Sequence, residues 1–205
     1  MKVYGIIVFL SLFYYIHSTG NTQMNDKETL LIVPFDDVST DVLRRIGESL
    51  TQQLNIAYDI TAVMSIPPAA YNQQRRQYHS SILLEMLIAT YGKTGKHILG
   101  IADYDLFVPQ LNFVFGEADV YNKTAVISLT RLRQEYYHLP PDNNLFLQRA
   151  LTEAIHELGH TYGLQHCSNP HCVMFFSNAL ADTDRKGYLF CDKCKTRLKQ
   201  NNKEK

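Results

Sequence analysis

The chain has 205 residues, with 20 basic and 20 acidic side chains and a formal net charge of zero at neutral pH. This length suits one domain with a sizeable core. The balanced charge argues against nucleic acid as a primary partner, because proteins that bind nucleic acid usually present a net basic surface.

The N-terminus carries an apolar run from Val3 to Ile16, which follows the basic residue Lys2. A charged start, an apolar stretch and small residues near Gly20 are typical of a secretory signal. Residues 1–22 are therefore predicted to be a signal peptide or an N-terminal anchor, and the protein is predicted to be exported. The run is shorter than the roughly 20 residues of a spanning helix, so no stable membrane span is expected after processing. A cytoplasmic or membrane-anchored protein is the alternative.

Apolar runs and helical spacings then alternate along the chain, a pattern that predicts an α/β fold. Strands are predicted at Leu30 to Phe35, Ile60 to Ile66, His97 to Ala102, Asn112 to Phe115 and Thr124 to Leu129. Helices are predicted at Asp41 to Leu54, capped by Ser39 or Thr40, and at Ser80 to Thr90. The segment from Ala69 to Tyr78, with Arg75 and Arg76, is interpreted as a solvated polar loop, and Lys193 to Lys205 as a frayed basic tail.

A third helix is predicted from Asn144 to Tyr162. Pro140 and Pro141 block a helix before it, and Asp142 or an adjacent asparagine can cap it. Apolar residues recur on one face of this helix, and the residues that carry chemistry lie on the other.

The pattern H-E-x-x-H-x-x-G-x-x-H begins in this helix at His156 and ends beyond it at His166. Residues four apart share a helix face, so His156 and His160 can bind one metal ion. Gly163 allows a left-handed turn that returns His166 to the same ion. Three histidine ligands leave a zinc position open for water, and Glu157 is placed to act as general base toward that water.

The four cysteines of the chain form a second cluster, in which Cys167 and Cys172 are followed by the C-x-x-C pair Cys191 and Cys194. Paired cysteines at these spacings favour a closed, structural zinc site. Two disulfides are the alternative, which the predicted export would favour. His171 could also replace one cysteine as a ligand.

Taken together, the motifs H-E-x-x-H-x-x-G-x-x-H-C-x4-C-x-M and C-x-x-C resemble those of the archaemetzincins, a family in the metzincin clan of zinc peptidases. The resemblance covers about residues 29 to 195. It also includes these segments: Leu30 to Pro34, Tyr71 to Leu87, Ile98 to Gly116 and Ala125 to Leu132.

The resemblance implies a small mixed sheet with an antiparallel edge strand, a backing helix, an active-site helix and a Met-turn. It implies that His156, His160 and His166 bind a catalytic zinc, with Glu157 as general base, and that Met174 lies beneath the metal. The C-terminal segment would be held by a second, structural zinc on these cysteines: Cys167, Cys172, Cys191 and Cys194. Phe175 and Phe176 follow Met174, so the turn tyrosine of other metzincins is absent.

These observations predict a zinc-dependent peptidase with two zinc ions per chain, a peptide or protein substrate and a monomeric state. By the metzincin analogy, Leu111 to Glu117 would be an edge strand that binds an extended peptide. The predicted division is a signal or anchor at 1–22, a peptidase domain at 29–195 and a polar tail at 196–205. A non-catalytic two-zinc protein that binds peptides is the alternative function.

Overall fold

The computed structural model describes residues 28–201 of the chain. The strands are β1 (Thr29–Phe35), β2 (Ala57–Ile60), β3 (Tyr71–Asn72), β4 (Gln77–His79), β5 (His97–Ala102), β6 (Leu106–Phe107), β7 (Gly116–Asp119) and β8 (Thr124–Ser128). The α-helices are α1 (Thr40–Leu54), α2 (Ser80–Tyr91), α3 (Asn143–Thr161), α4 (Leu180–Lys186) and α5 (Asp192–Asn201). Short 3-10 helices occupy Pro68–Ala70, Gly92–Thr94, Thr130–Leu132 and Gln134–Tyr137.

Five strands form the main sheet in the order β2-β1-β5-β8-β7. The first four run parallel, and β7 pairs with β8 in the antiparallel direction at the edge. Alternate residues of β1 enter different cores: Ile32 packs with residues of α1 and α3, and Val33 with residues of α2. Helices therefore cover both faces, as expected for the buried parallel strands β1, β5 and β8. The predicted α/β class and the antiparallel edge strand are confirmed.

The helix predictions agree with the structure to within one residue at each end. Ser39 occupies the N-cap of α1, although its side chain makes no capping hydrogen bond. At α3 the Asp142 carboxylate accepts hydrogen bonds from the backbone amides of Asn144 and Leu145, as its position before the helix predicts.

Two of the strand predictions are wrong in their bounds. In place of Ile60 to Ile66, the edge strand is Ala57–Ile60, after which pairing with β1 is reduced to a single bridge between Phe35 and Met64. In place of Asn112 to Phe115, and of the edge strand Leu111 to Glu117, the regular strand is Gly116–Asp119. The apolar residues before it lie in a loop. There the backbone carbonyls of Leu111 and Asn112 accept hydrogen bonds from the side chains of Arg75 and Gln77, and not from the backbone of a neighbouring strand.

The interpretation of Ala69 to Tyr78 as a solvated loop is also wrong. This segment contributes β3 and β4 to a second, three-stranded sheet with β6. The Arg75 guanidinium lies over the Phe107 ring, 4.3 Å from its centroid, and donates to the carbonyl oxygens of Leu111 and Asn112 at 2.6 and 2.9 Å. Arg75 therefore fixes the loop that precedes β7.

The C-terminal segment is ordered through Asn201, so the prediction of a frayed tail from Lys193 is wrong for that stretch. Helix α5 carries Cys194 in the core, and the Asn201 side chain donates to the Tyr162 carbonyl at 2.8 Å. The predicted signal or anchor at 1–22 lies outside the described residues. Within residues 28–201, no helix is both long and apolar enough to span a bilayer.

Candidate metal centre

The three histidines of the motif converge at the C-terminal end of α3. His156 and His160 are one turn apart, and their Nε2 atoms lie 3.2 Å from each other. After α3 ends, Gly163 adopts φ +81°, as the motif predicts, and the chain turns back. This turn brings His166 to the other two rings, so that the three offer nitrogen atoms within 4.8 Å of one another.

In two of the three rings, those of His156 and His160, a backbone carbonyl determines which nitrogen carries the proton. Nδ1 of His156 donates to the Val173 carbonyl at 2.6 Å, and Nδ1 of His160 donates to the Leu164 carbonyl at 2.8 Å. Both Nε2 atoms therefore present lone pairs to each other at 3.2 Å. Such an arrangement is well suited to a cation bound between them. Zinc–nitrogen bonds of about 2.0–2.1 Å place two tetrahedral ligands about 3.3 Å apart, so this donor set fits zinc.

Burial keeps these imidazoles in the neutral form that binds metal. It lowers the pKa of His156 well below its ordinary value, and the nearby ammonium of Lys186 lowers it further. Burial also lowers the pKa of His160 and His166. Neutral imidazole with a fixed Nδ1–H is the usual state of a zinc-binding histidine.

Glu157 is buried beside the three histidines and lines the same cleft. Burial raises the pKa of its carboxyl to about 8, and the negative charge of Glu153 adds to this. A bound divalent cation would oppose the shift. Strand β7 passes directly over this side chain at Gly116, where a Cβ atom would lie 2.5 Å from the Glu157 Cγ. Sequence analysis did not identify Gly116, because nothing near it in the sequence indicates that it contacts Glu157.

Met174 lies fully buried beneath α3, next to Gly159. A Cβ atom on Gly159 would overlap the Met174 sulfur. The amide of Phe175 donates to the Cys172 carbonyl at 2.8 Å, which closes a tight turn around Met174. Phe176, two residues after Met174, carries no hydroxyl and lies with its ring centroid 4.9 Å from that of His166.

The four cysteines form a compact cluster with free thiols, so the structure contains no disulfide between them. Their sulfur atoms all lie within 4.8 Å of one another, and His171 is not part of the group. Sγ of Cys167 and Sγ of Cys191 are 3.8 Å apart. Zinc–sulfur bonds of about 2.3 Å place two tetrahedral ligands about 3.8 Å apart, so the cluster fits a closed zinc site.

Hydrogen bonds within this cluster favour a thiolate at Cys191, whereas burial raises the pKa of Cys172 and Cys194. Burial would raise the pKa of Cys191, but the amide of Cys194 and the neighbouring thiols outweigh it and lower the pKa to about 7. A thiolate is the form of cysteine that binds zinc.

The two clusters share one short stretch of backbone. Cys167 follows His166 directly, and its amide donates to the Met174 carbonyl at 2.8 Å. Cys172 precedes Val173, whose carbonyl orients His156. The cysteine cluster therefore supports the segment that positions two of the three histidines.

A buried ion pair behind His156 is a further feature that sequence analysis missed. Lys186 contacts the Glu153 carboxylate at 3.2 Å, with both side chains almost fully buried. Glu153 lies one helical turn before Glu157, and this spacing could have identified it. Lys186 is 33 residues away in sequence, so no local signal connects the two.

Comparison with known proteins agrees with this geometry. The model of peptidase family M54 matches residues 39–200. The archaemetzincin of Methanocaldococcus jannaschii is 40% identical over 169 residues, which cover 82% of this chain and 92% of that protein.

Two crystal structures of archaemetzincins have the same fold. The Methanopyrus kandleri structure has a TM-score of 0.77 at 35% identity and covers 89% of this chain and 99% of its own. The Archaeoglobus fulgidus structure, solved as a complex with malonate, has a TM-score of 0.72 at 36% identity, with coverages of 82% and 99%. The chain therefore belongs to peptidase family M54, the archaemetzincins, and is a zinc metallopeptidase.

Proposed function

We propose that this protein hydrolyses peptide bonds at the centre formed by His156, His160 and His166, with Glu157 as general base. The observation that supports this most strongly is the pair of histidine lone pairs facing each other at 3.2 Å beside a buried carboxylate. A purely structural zinc site has four protein ligands, whereas this one offers three and opens into a cleft.

When bound, zinc supplies Lewis-acid polarisation of a water molecule and of the substrate carbonyl. Glu157 accepts a proton from the attacking water on its carboxylate and then donates it to the nitrogen of the leaving amine. The carbonyls of Val173 and Leu164 hold two of the imidazole rings in the orientation that this chemistry needs.

Strand β7 offers a binding edge for an extended peptide. It pairs with β8 on one side, and no strand among residues 28–201 pairs with its other side. Gly116, Glu117 and Ala118 line the cleft together with the three histidines. A substrate added along this edge would be held by backbone hydrogen bonds. This proposal replaces the predicted edge Leu111 to Glu117 with Gly116–Asp119.

We also propose a second zinc on Cys167, Cys172, Cys191 and Cys194, which would be structural and bring the total to two ions per chain. The free thiols and the 3.8 Å sulfur spacing support this. Export through residues 1–22 and a monomeric state stay predictions.

The test is cleavage of a mixed peptide library by zinc-loaded protein, comparing wild type with Glu157→Gln. The variant should retain its zinc and lose about 10²- to 10⁴-fold in kcat, because the proton carrier is gone. Glu85→Gln, an exposed carboxylate on α2, is the matched control and should cleave normally. Full activity of Glu157→Gln would exclude the assigned base. Tight peptide binding without cleavage by wild type would favour a non-catalytic binding protein.

A further inference from the structure

Glu117 is a carboxylate on the edge strand that lines the cleft without a cation beside it. It follows Gly116 in β7 and borders the cleft together with His79 and Ser81. None of the ion pairs among residues 28–201 includes Glu117. No lysine or arginine of that range lines the cleft either. This part of the chain therefore places a carboxylate in the cleft and does not supply its counter-ion.

Two serine hydroxyls hold this carboxylate in place. Ser80 and Ser81, in the first turn of α2, donate to it at 2.5 and 2.8 Å. Helix α2 begins without a side-chain capping hydrogen bond, so Glu117 does not act as its cap. An ionised carboxylate offers about four lone-pair sites, and the two hydroxyl protons leave part of them free to accept from a ligand.

Glu117 and Gly116 point to opposite faces of the sheet. A Cβ atom on Gly116 would contact Glu157 of α3, whereas the Glu117 side chain contacts α2. Successive side chains of any extended strand alternate in this way. In a peptide added along β7, every second side chain would therefore face α2 and Glu117. The side chains between them would face α3 and the metal centre.

The cleft on the α2 face is bordered by an uncharged loop. Val108, Pro109 and Gln110 line the cleft and follow Phe107, whose carbonyl lies 3.2 Å from the Ser80 hydroxyl. The other carboxylate that lines the cleft in the described part of the chain is that of Glu157, on α3. A cationic side chain on the α2 face would therefore meet the charge of Glu117 without competition from a second carboxylate on that face.

Glu117 also lies close to the proposed general base. Burial and the charge of Glu153 raise the pKa of the Glu157 carboxyl, and the charge of Glu117 adds to this increase. A substrate side chain that pairs with Glu117 therefore belongs to a residue near the cleaved bond.

We propose that Glu117 binds a basic side chain of the substrate, arginine or lysine, at a position near the cleaved bond whose side chain faces α2. This inference rests on the proposed peptidase function, from which it takes the extended peptide along β7. A carboxylate and a guanidinium or ammonium group form charge-assisted hydrogen bonds, which are stronger than neutral ones. The preference for basic residues should alternate along the peptide, because only every second side chain faces Glu117.

The test starts from a peptide that the zinc-loaded protein cleaves in the mixed library. One arginine is moved through the positions around the cleaved bond. Each peptide is compared with the same peptide carrying citrulline, which has nearly the shape of arginine without its charge, and mass spectrometry identifies the bond that is cleaved. The ratio of kcat/KM for arginine over citrulline should reach about tenfold at the position that faces Glu117 and fall at the positions on either side. Equal ratios at all positions would overturn the inference.

Glu117→Gln removes the charge and keeps an oxygen that can accept from the serine hydroxyls. It should abolish the preference for arginine. Any indirect effect on Glu157 changes kcat/KM for both peptides alike and leaves their ratio unchanged. Glu117→Lys should reverse the preference, so that glutamate is favoured over glutamine at the same position. A preference for arginine that survives both substitutions would contradict the role of Glu117.

The matched control is Asp119→Asn, which removes a carboxylate from the same face of the same strand. Asp119 accepts a hydrogen bond from the Asn122 amide at 2.8 Å and does not line the cleft. Its arginine-to-citrulline ratios should equal those of wild type. Loss of the preference in this variant too would mean that the general charge of β7 is responsible, and not a contact with Glu117.

A second measurement separates this inference from the proposed function. The arginine and citrulline peptides are titrated by fluorescence anisotropy against zinc-loaded Glu157→Gln, alone and combined with Glu117→Gln. If wild type cleaves nothing, but the arginine peptide binds more tightly only when Glu117 is present, the peptidase function fails and the role of Glu117 stands. If peptides are cleaved with equal kcat/KM for arginine and citrulline, the inference fails and the function stands.

Discussion

Gly116 and Glu157 are in direct contact across the cleft, where the edge strand crosses the active-site helix. A Cβ atom at position 116 would lie 2.5 Å from Cγ and 2.8 Å from Oε1 of Glu157. Other side chains would push the carboxylate away from the histidines. The close approach of strand and helix therefore depends on glycine at this point.

The first prediction is that Gly116→Ala lowers kcat by about 10²-fold without loss of zinc, because the added methyl group displaces the carboxylate of Glu157. Steady-state kinetics and metal analysis check this. Gly92→Ala is the control, since a Cβ there makes an ordinary contact of 3.4 Å with Ile88. Normal turnover by Gly116→Ala would show that the position of Glu157 does not depend on this contact.

The second prediction concerns Gly159, within the H-E-x-x-H motif. A methyl group there would overlap the buried Met174 sulfur. Gly159→Ala should therefore reduce the free energy of unfolding by about 1–3 kcal/mol, the usual cost of overpacking a core. Alanine favours the α-helix more than glycine does, so helix propensity alone would make this substitution increase the free energy of unfolding. Denaturant unfolding of the zinc-loaded protein decides between the two.

The third prediction is that Cys194→Ser disturbs both metal sites. Loss of one thiolate should release the structural zinc and lower the thermal midpoint by about 10 °C or more. The histidine site should also bind zinc more weakly, because Cys172 and Cys167 flank the residues that position His156 and His166. Zinc titration and calorimetry measure these effects. Lys195→Ala, next to Cys194 but exposed, should change neither.

The fourth prediction separates two adjacent arginines. Arg75→Ala should raise KM by about fivefold to tenfold with little change in kcat, because the loop that carries Phe113 loses two charge-assisted hydrogen bonds. Arg76→Ala, at the exposed neighbouring position, should leave KM as it is. Equal effects of the two substitutions would mean that only the positive charge of this segment matters.

Features of the fold that depend on residues close together in sequence could be predicted, whereas those that depend on distant residues could not. The spacing of His156 and His160, the cap at Asp142 and the turn at Gly163 are local, so the motif predicts the helix and the turn that follows it. The parallel strands β1, β5 and β8 are mainly apolar and buried, which made most of the sheet predictable. By contrast, apolar residues before Gly116 resemble a strand but form a loop.

The features that were missed all depend on contacts between residues far apart in sequence. Arg75 and Leu111 are 36 residues apart, and Glu153 and Lys186 are 33 apart. Nothing near Arg75 shows that it will bind a loop carbonyl, and nothing near Lys186 shows that it will be buried. Tertiary packing determines these roles. A single sequence indicates packing only where apolar or functional residues recur at a regular spacing.

Crystallographic anomalous scattering at the zinc edge tests the central claim most directly. Two peaks per chain are predicted: one about 2.0–2.1 Å from a nitrogen of His156, His160 and His166, and one about 2.3 Å from the sulfurs of the four cysteines. Absence of a peak among the three imidazoles in zinc-loaded protein, or a peak there with a fourth protein ligand, would contradict the catalytic centre proposed for this chain.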